Sequence, residues 1–393
     1  MLIKFLLILA IVFFPKHGIF DFSTLISLGV ILFYYKSKIT IVKREFLYLF
    51  LIIVYFGIVS LIVTIDIISI DKFYLPYYFA KFIRLFISFY ALFLLLKKIN
   101  IIKYEKLLNS IFIVNVSIVF FELFVPLYKD SIYKFTNFGA GTNYPHFDYR
   151  VAGLSMGFDA AGMVVAIGGV YFFVKMFQGP FKYKIFFLLS IIATMVTARV
   201  AFVGLMLTVF FYYCYRIILN IKYLKLLLIY LIPLVLVLFY FIYTNEFLYA
   251  LYELGVNRNF DVQGYAKDGS FLFNSFKISE NPFYAIFGYG VDSFTPYGAR
   301  SDVGWFQLYW AGGIIGSVLI IGLYLYMVFR VIKSYGDRYY KHIFLFIVLL
   351  IFIGNFKGGY IFARQQTEIL FIFYLMIINQ HYLRIKHENS ISN

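Results

Sequence analysis

Apolar residues fall along this chain in blocks, many of about 20 residues, separated by short polar stretches. A block of that length crosses a hydrocarbon core of roughly 30 Å as an α-helix. The pattern predicts spans at 2–14, 18–35, 46–65, 74–96, 107–127, 151–174, 184–197, 200–219, 223–243, 303–329, 342–356 and 365–382. The expected fold is therefore all-α, a polytopic membrane helix bundle of about twelve transmembrane helices, forming a single integral membrane domain over 1–393. The first block is short for a full crossing, so eleven helices with a re-entrant N-terminus is the alternative. Residues 1–14 resemble a signal peptide, with Lys4 ahead of an apolar run. No small-residue cleavage site follows and a second apolar run starts at Gly18, so they read as a retained helix.

Two long segments interrupt the blocks, at 128–150 and at 244–302, the second between the ninth and tenth predicted helices. The second contains Gly255, Gly264, Gly269, Gly288, Gly290, Gly298, Pro282 and Pro296, which punctuate a loop with short elements. Loops longer than about 15 residues are usually functional or disordered. The abundance of Phe and Tyr here argues for order. The two halves of the chain do not mirror each other, as the halves of many transporters do.

Composition sharpens this picture. The chain is 63% hydrophobic and 14% charged, whereas soluble domains are nearer half and a quarter. Its net charge of +16 raises nucleic acid as a partner, but the distribution of charge excludes it. Lys4 and the alternate loops at 36–45, 97–106, 175–184, 216–225, 330–341 and 384–388 hold 21 of the 35 basic residues and four acidic ones, Glu45, Glu105, Asp337 and Glu388. Cytoplasmic loops are enriched in Lys and Arg, so this is the expected cytoplasmic side, with both termini on it and the loop at 244–302 outside. Cys214 is the single cysteine, which rules out an intrachain disulfide and a thiolate cluster. The five histidines lack metal-ligand spacing, Asp66 and Asp71 are too far apart for an Asp-x-Asp motif, and Gly288-Tyr289-Gly290 lacks the strand-to-helix context of a nucleotide loop. No metal and no cofactor are expected, and there is no serine nucleophile elbow.

Chemistry is concentrated in cations on the outward side. Arg150 precedes the sixth helix, Arg199 sits in the turn Thr197-Ala198-Arg199, Arg300 and Asp302 precede the tenth helix, and Lys357 and Arg364 flank the last outward turn. Lys81 and Arg84 lie within the fourth helix, three positions apart and so on one face, directed into the bundle or a cavity. Arginine binds phosphate through a planar fork of donors, and several such forks at one membrane level suit a lipid-linked pyrophosphate. The alternative for each is an anchor that snorkels to headgroups. Glu122 and Asp159, inside apolar runs, suit an ion pair or catalysis. Tyr297 and Trp305 suit sugar stacking or interface anchoring.

Four features then occur in order: Arg150-Val-Ala-Gly153; Thr197-Ala-Arg199-Val-Ala-Phe-Val-Gly204; the loop end Glu280-Asn-Pro-Phe-Tyr-Ala-Ile-Phe-Gly288-Tyr-Gly290; and Ser301-Asp302 opening a helix that runs to Ala311-Gly-Gly-Ile-Ile-Gly316. Over roughly residues 40–380 this order and topology resemble the O-antigen polymerase and O-antigen ligase superfamily. The resemblance implies a glycosyltransferase that polymerises undecaprenyl-pyrophosphate-linked oligosaccharide repeat units into O-antigen or capsular polysaccharide. It would work at the outer face of a bacterial inner membrane, without a metal and with inversion. A hydroxyl of the next lipid-linked unit attacks the anomeric carbon of the growing glycan, and lipid pyrophosphate leaves. Arg199 and Asp302 carry over as catalytic residues, and the Gly288/Gly290 turn carries over from the loop end. The outward cations Arg84, Arg150, Arg258, Arg300, Lys357 and Arg364 are the expected contacts to pyrophosphate and glycan. Many members have Gly-Arg in the first half of the loop, where this chain has Gly269-Ser270-Phe271; Arg258 or Arg300 substitutes. Ligases typically carry a loop histidine, and none lies at 244–302, which favours polymerase over ligase. A chain-length regulator and a flippase are the implied protein partners, and membrane lipid surrounds the chain. A flippase for the same lipid-linked oligosaccharide is the alternative from a different class.

The chemistry fits these residues. Pyrophosphate is a good leaving group, so the protein must chiefly stabilise departing negative charge and orient the acceptor. Asp302 is the candidate to accept the hydroxyl proton. On this reading the outward loop forms a lid, and Arg258, Arg300 and Asp302 converge with Arg199 and Arg364 on one cavity. The topology itself is testable. In intact cells carrying Cys214→Ser, an impermeant thiol reagent should label Lys267→Cys and leave Gly336→Cys unlabelled; the opposite result reverses the orientation.

Overall fold

The computed structural model describes residues 2–17, 20–34, 42–67, 77–97, 99–136, 151–155, 157–177, 179–219, 279, 281–290, 303–335, 337–361 and 363–391. Its helices are α1 (Leu2–Phe13), α2 (Phe22–Tyr34), α3 (Lys43–Ile67), α4 (Tyr77–Leu96), α5 (Ile101–Phe124), α6 (Pro126–Thr136), α7 (Phe158–Lys175), α8 (Lys182–Thr197), α9 (Arg199–Leu219), α10 (Pro282–Phe287), α11 (Gly304–Lys333), α12 (Arg338–Gly354) and α13 (Gln366–Ile391). Eleven of the predicted spans fall on helices, and the remaining one, 223–243, lies outside the described residues. Among the described residues, α3, α4, α5, α7, α9 and α11 are long and apolar enough to cross a membrane. The chain is thus a membrane protein built of α-helices.

Contacts divide the chain into two compact units, one of Met1–Ile111 with Phe271–Asn393, the other of Phe112–Ser270. In the first, α4 packs against α2, α3 and α13. A two-residue antiparallel ribbon, β1 (Lys16–His17) with β2 (Phe20–Asp21), closes the turn between α1 and α2. This ribbon delays α2 to Phe22, although the apolar run begins at Gly18. α4 and α13 run parallel, held at two levels. Arg84 meets Glu368 at one level, and the Asn379 side-chain amide donates to the Leu96 carbonyl at the other. Those partners are 12 residues apart on α4 and 11 on α13, as two parallel helices require. Between them Phe89 and Phe371 meet edge-on, with ring centres 4.8 Å apart.

The sequence shows α11 as one uninterrupted apolar block, but the helix is broken at Gly313, whose φ of 58° and ψ of −162° are non-helical. The carbonyls before the break find donors elsewhere. Tyr289 N–H donates to Trp310 O and Gly290 N–H to Ala311 O, each at 2.8 Å, and the Tyr55 hydroxyl lies 2.7 Å from Gly312 O and 2.9 Å from Phe287 O. Two glycines make the contact possible. A Cβ at Gly313 would lie 2.3 Å from Ile286 O, and one at Gly288, itself at φ 78°, would lie 2.4 Å from Gly313 N. Gly312 and Gly316, four apart, open the face on which Tyr55 and Phe56 of α3 seat.

In the second unit α7 is buried along almost its whole length and packs against α8 and α9. Gly162 admits the α8–α9 corner: a Cβ there would lie 2.5 Å from the Ala198 methyl.

Gly313→Ala should destabilise the protein by more than about 3 kcal/mol. A backbone conformation essentially restricted to glycine costs about 1–3 kcal/mol, and overlap with the Ile286 carbonyl adds to it. Gly29→Ala in α2, where no atom lies within 4 Å, should instead gain up to about 1 kcal/mol. Thermal unfolding midpoints in detergent would separate the two; equal midpoints would remove the break as a constraint.

Candidate functional site

In the first unit, side chains from three sequence regions meet at the end opposite the basic loops. The turn between α12 and α13 carries Arg364, whose guanidinium donates to the Asp21 carboxylate at 2.9 Å and to the Phe14 carbonyl. Asp21 and Phe14 belong to the α1–α2 turn, so this pair ties the two turns together. Next along the chain, Gln365 adopts a left-handed φ of 71°, which directs its backbone N–H onto the Glu368 carboxylate at 2.6 Å. Gln365, Gln366, Thr367 and Glu368 are all buried, an unusual run of polar side chains at the mouth of a helix.

Arg84 reaches the same place from α4. Its guanidinium lies 3.8 Å from Glu368, a Coulombic contact longer than a hydrogen bond, with 14% of the arginine side chain exposed and none of the glutamate's. Arg84 and Arg364 are close enough to repel each other. Burial holds the Arg364 guanidinium below the ordinary arginine range, Asp21 opposes this and Arg84 adds to it. Two guanidiniums therefore share a partly buried region whose nearest anions are Asp21 and Glu368. Arg84 makes no hydrogen bond among the described residues beyond this ion pair with Glu368.

Beside this cluster α11 begins. A Cβ at Gly304 would lie 2.1 Å from Gly358 O, so only glycine lets the helix start against the α12–α13 turn. The buried Asn355 side chain organises that turn by accepting from Tyr360 N–H and Ile361 N–H, while the Asn355 backbone carbonyl accepts from Trp305 N–H. Lys81, Gln307, Asn355 and Gly359 line a small cavity of about 10 Å³ here, the size of one water molecule. Further along α11, Trp310 stacks on Tyr289, which stacks on Tyr284, each pair with ring centres 4.3 Å apart. This aromatic column joins α10 and the turn after it to α11.

The second unit carries the Thr197-Ala-Arg199 turn. α8 ends at Thr197, Ala198 is extended, and α9 starts at Arg199. The buried Glu122 of α5 accepts from Ala152 N–H at 3.1 Å and Gly153 N–H at 3.2 Å, and so fixes the backbone that follows Arg150. Asp159 lies in the first turn of α7 and is exposed.

Of the cations expected to act together, Arg84 and Arg364 lie near enough to influence each other, Lys357 is half-buried in the α12–α13 turn, and the backbone of Arg199 heads α9 in the second unit. Arg150, Arg258, Arg300 and Asp302 lie outside the described residues. Residues 279 and 281–290 are the described part of the loop at 244–302, and there Gly288 and Gly290 meet Ala311-Gly312-Gly313. The sequence reading missed Asp21 and Glu368 as partners of these arginines. Glu368 had a signal, being a carboxylate within three residues of the start of an apolar block. Asp21 had none, because its place depends on the ribbon at 16–21.

A double-mutant cycle distinguishes the two pairs. Arg364 with Asp21, in hydrogen-bond contact and largely buried, should couple by about 1–3 kcal/mol. Arg84 with Glu368, longer and partly wet, should couple by less than about 1 kcal/mol. Equal couplings from chemical denaturation would contradict this ranking. Compared with known proteins, the chain matches no family model, and no curated protein or solved structure is similar to it.

Proposed function

We propose that this protein polymerises a lipid-linked oligosaccharide at the outer face of a bacterial inner membrane, as a metal-independent glycosyltransferase of the O-antigen polymerase type. The observation that carries the reading is the ordered series of motifs ending in Gly288-Tyr-Gly290 and Ala311-Gly-Gly-Ile-Ile-Gly316. Its support from the folded chain is that these last two motifs, over 20 residues apart, are hydrogen-bonded to each other beside a column of three stacked aromatic rings. Within the column the ring faces cover one another, so a sugar would stack on the half-buried end ring of Tyr284, and Arg84, with no hydrogen bond among the described residues, offers donors at the same end of the unit. In this mechanism Arg199 and Arg84 stabilise the negative charge that develops on the departing pyrophosphate, Arg364 and Lys357 hold the substrate's phosphates, and Asp302 receives the acceptor's proton. Arg150, Arg258 and Arg300 complete the binding surface. Both termini lie in the cytoplasm, and a chain-length regulator and a flippase are the partners.

One observation favours a second reading, a flippase for the same substrate: broken helices are a recurrent device of transporters, and α11 is broken at Gly313.

Purified protein supplied with undecaprenyl-pyrophosphate-linked repeat units separates the readings. A ladder of products supports polymerase; translocation across a vesicle without new products supports flippase; transfer to lipid A core identifies a ligase. Within the polymerase reading, Arg199→Lys and Arg84→Lys keep the charge and lose the fork. Each should cut polymer yield on the order of a hundredfold at normal protein level, with Arg199→Ala at least as severe. Wild-type chain lengths from the lysine variants would reduce both arginines to anchors.

A further inference from the structure

At the opposite, basic end of the first unit, the start of α3, the end of α11 and the end of α13 enclose a half-open cavity of about 550 Å³. That volume lies within the range of small-molecule sites. Its walls include Lys43, Arg44, Tyr326, Arg330, Lys333 and His381. Arg330 is committed: its guanidinium donates to the buried Glu45 carboxylate, which also accepts from the Tyr374 hydroxyl. That triad fixes the cavity floor and leaves it neutral. The surplus charge comes from Lys43, Arg44 and Lys333, which are exposed and form no ion pair among the described residues. Lys333 also lies over the Phe329 ring at 4.2 Å.

The surroundings of the cavity define its occupant. On α11, directly before the basic rim, Leu325, Phe329 and Ile332 are exposed, and on α3, directly after it, Leu47, Phe50 and Leu51 are exposed. In a bilayer these are hydrocarbon-facing rows. A ligand here would therefore place an anion among three cations that have no ion-pair partner among the described residues, and have apolar surface along which to extend. A soluble anion uses only the first of these features. Basic pockets between transmembrane helices at the cytoplasmic leaflet are sites where anionic lipid headgroups gather.

We infer that this cavity is a binding site for the phosphodiester headgroup of an anionic phospholipid, held by Lys43, Arg44 and Lys333, with its acyl chains along α3 and α11. The inference is independent of the polymerase reading; it requires only that this end of the unit meets a membrane surface.

The test uses the full-length protein in detergent and follows its thermal unfolding midpoint on titration with phosphatidylglycerol mixed micelles, phosphatidylcholine mixed micelles or inorganic phosphate. Phosphatidylglycerol should raise the midpoint saturably, and the other two should not. Each of Lys43→Gln, Arg44→Gln and Lys333→Gln should weaken the apparent affinity roughly fivefold, and the triple variant should lose the response. These side chains are exposed, so the variants retain the fold. Lys182→Gln with Lys184→Gln, exposed basic residues of the other unit, should respond as wild type. The inference is overturned if phosphatidylglycerol has no effect, if the triple variant responds undiminished, if the Lys182/Lys184 variant loses the response equally, or if inorganic phosphate protects as well as the lipid.

Discussion

A backbone carbonyl inside apolar surroundings must find a donor, because no water is there to supply one. The first unit is arranged around one such requirement. Breaking α11 at Gly313 would strand the carbonyls of Trp310, Ala311 and Gly312; the turn after α10 and the Tyr55 hydroxyl of α3 take them up. Three separate stretches of sequence are thereby committed to one place. The glycines at 288, 312, 313 and 316 are the condition for it, since side chains at these positions would occupy the space where backbones or rings now meet.

Polar side chains perform the complementary task of setting how helices stand beside one another. Apolar packing alone tolerates sliding, because one lipid-facing leucine resembles another. The α4–α13 pair is fixed by Arg84 with Glu368 at one level and by Leu96, Asn379 and Tyr104 at the other, the Tyr104 hydroxyl donating to Leu96 O and accepting from Asn379. Asp21 with Arg364 does the same for two turns, and Glu45 with Arg330 and Tyr374 for α3, α11 and α13. These contacts join residues of the basic end to one another and residues of the opposite end to one another, in keeping with the alternation of basic loops along the chain.

Helix positions were legible in the sequence because length and apolarity alone determine them: α3, α9 and α11 begin within three residues of their apolar blocks. That Lys81 and Arg84 share one face of α4 was legible too, from their spacing of three. What was not legible depended on long-range partners. The break in α11 lies in Gly312-Gly313, which reads as ordinary small-residue packing until the donors at 289 and 290 are known. α6 escaped notice because it is short and polar. The candidate site was legible in its cations and not in its anions. A charge in a hydrophobic block announces itself, whereas the carboxylate that balances it can come from anywhere in the fold.

The staple at Gly313 also has a mechanical meaning. A helix with one residue at φ 58° would ordinarily be a free joint, its two halves able to swing independently. Here the joint is clamped from outside, by Tyr289, Gly290 and Tyr55. Swinging it would leave those carbonyls bare, at a cost of several kcal/mol each in an apolar medium. The turn at 288–290 and the first half of α11 are therefore held to each other as one piece, with the Tyr55 hydroxyl of α3 bound to both sides of the joint. The same segment begins at Gly304, which abuts the Gly358 carbonyl and the Asn355 side chain, so the clamp and the α12–α13 turn bear on one stretch of helix.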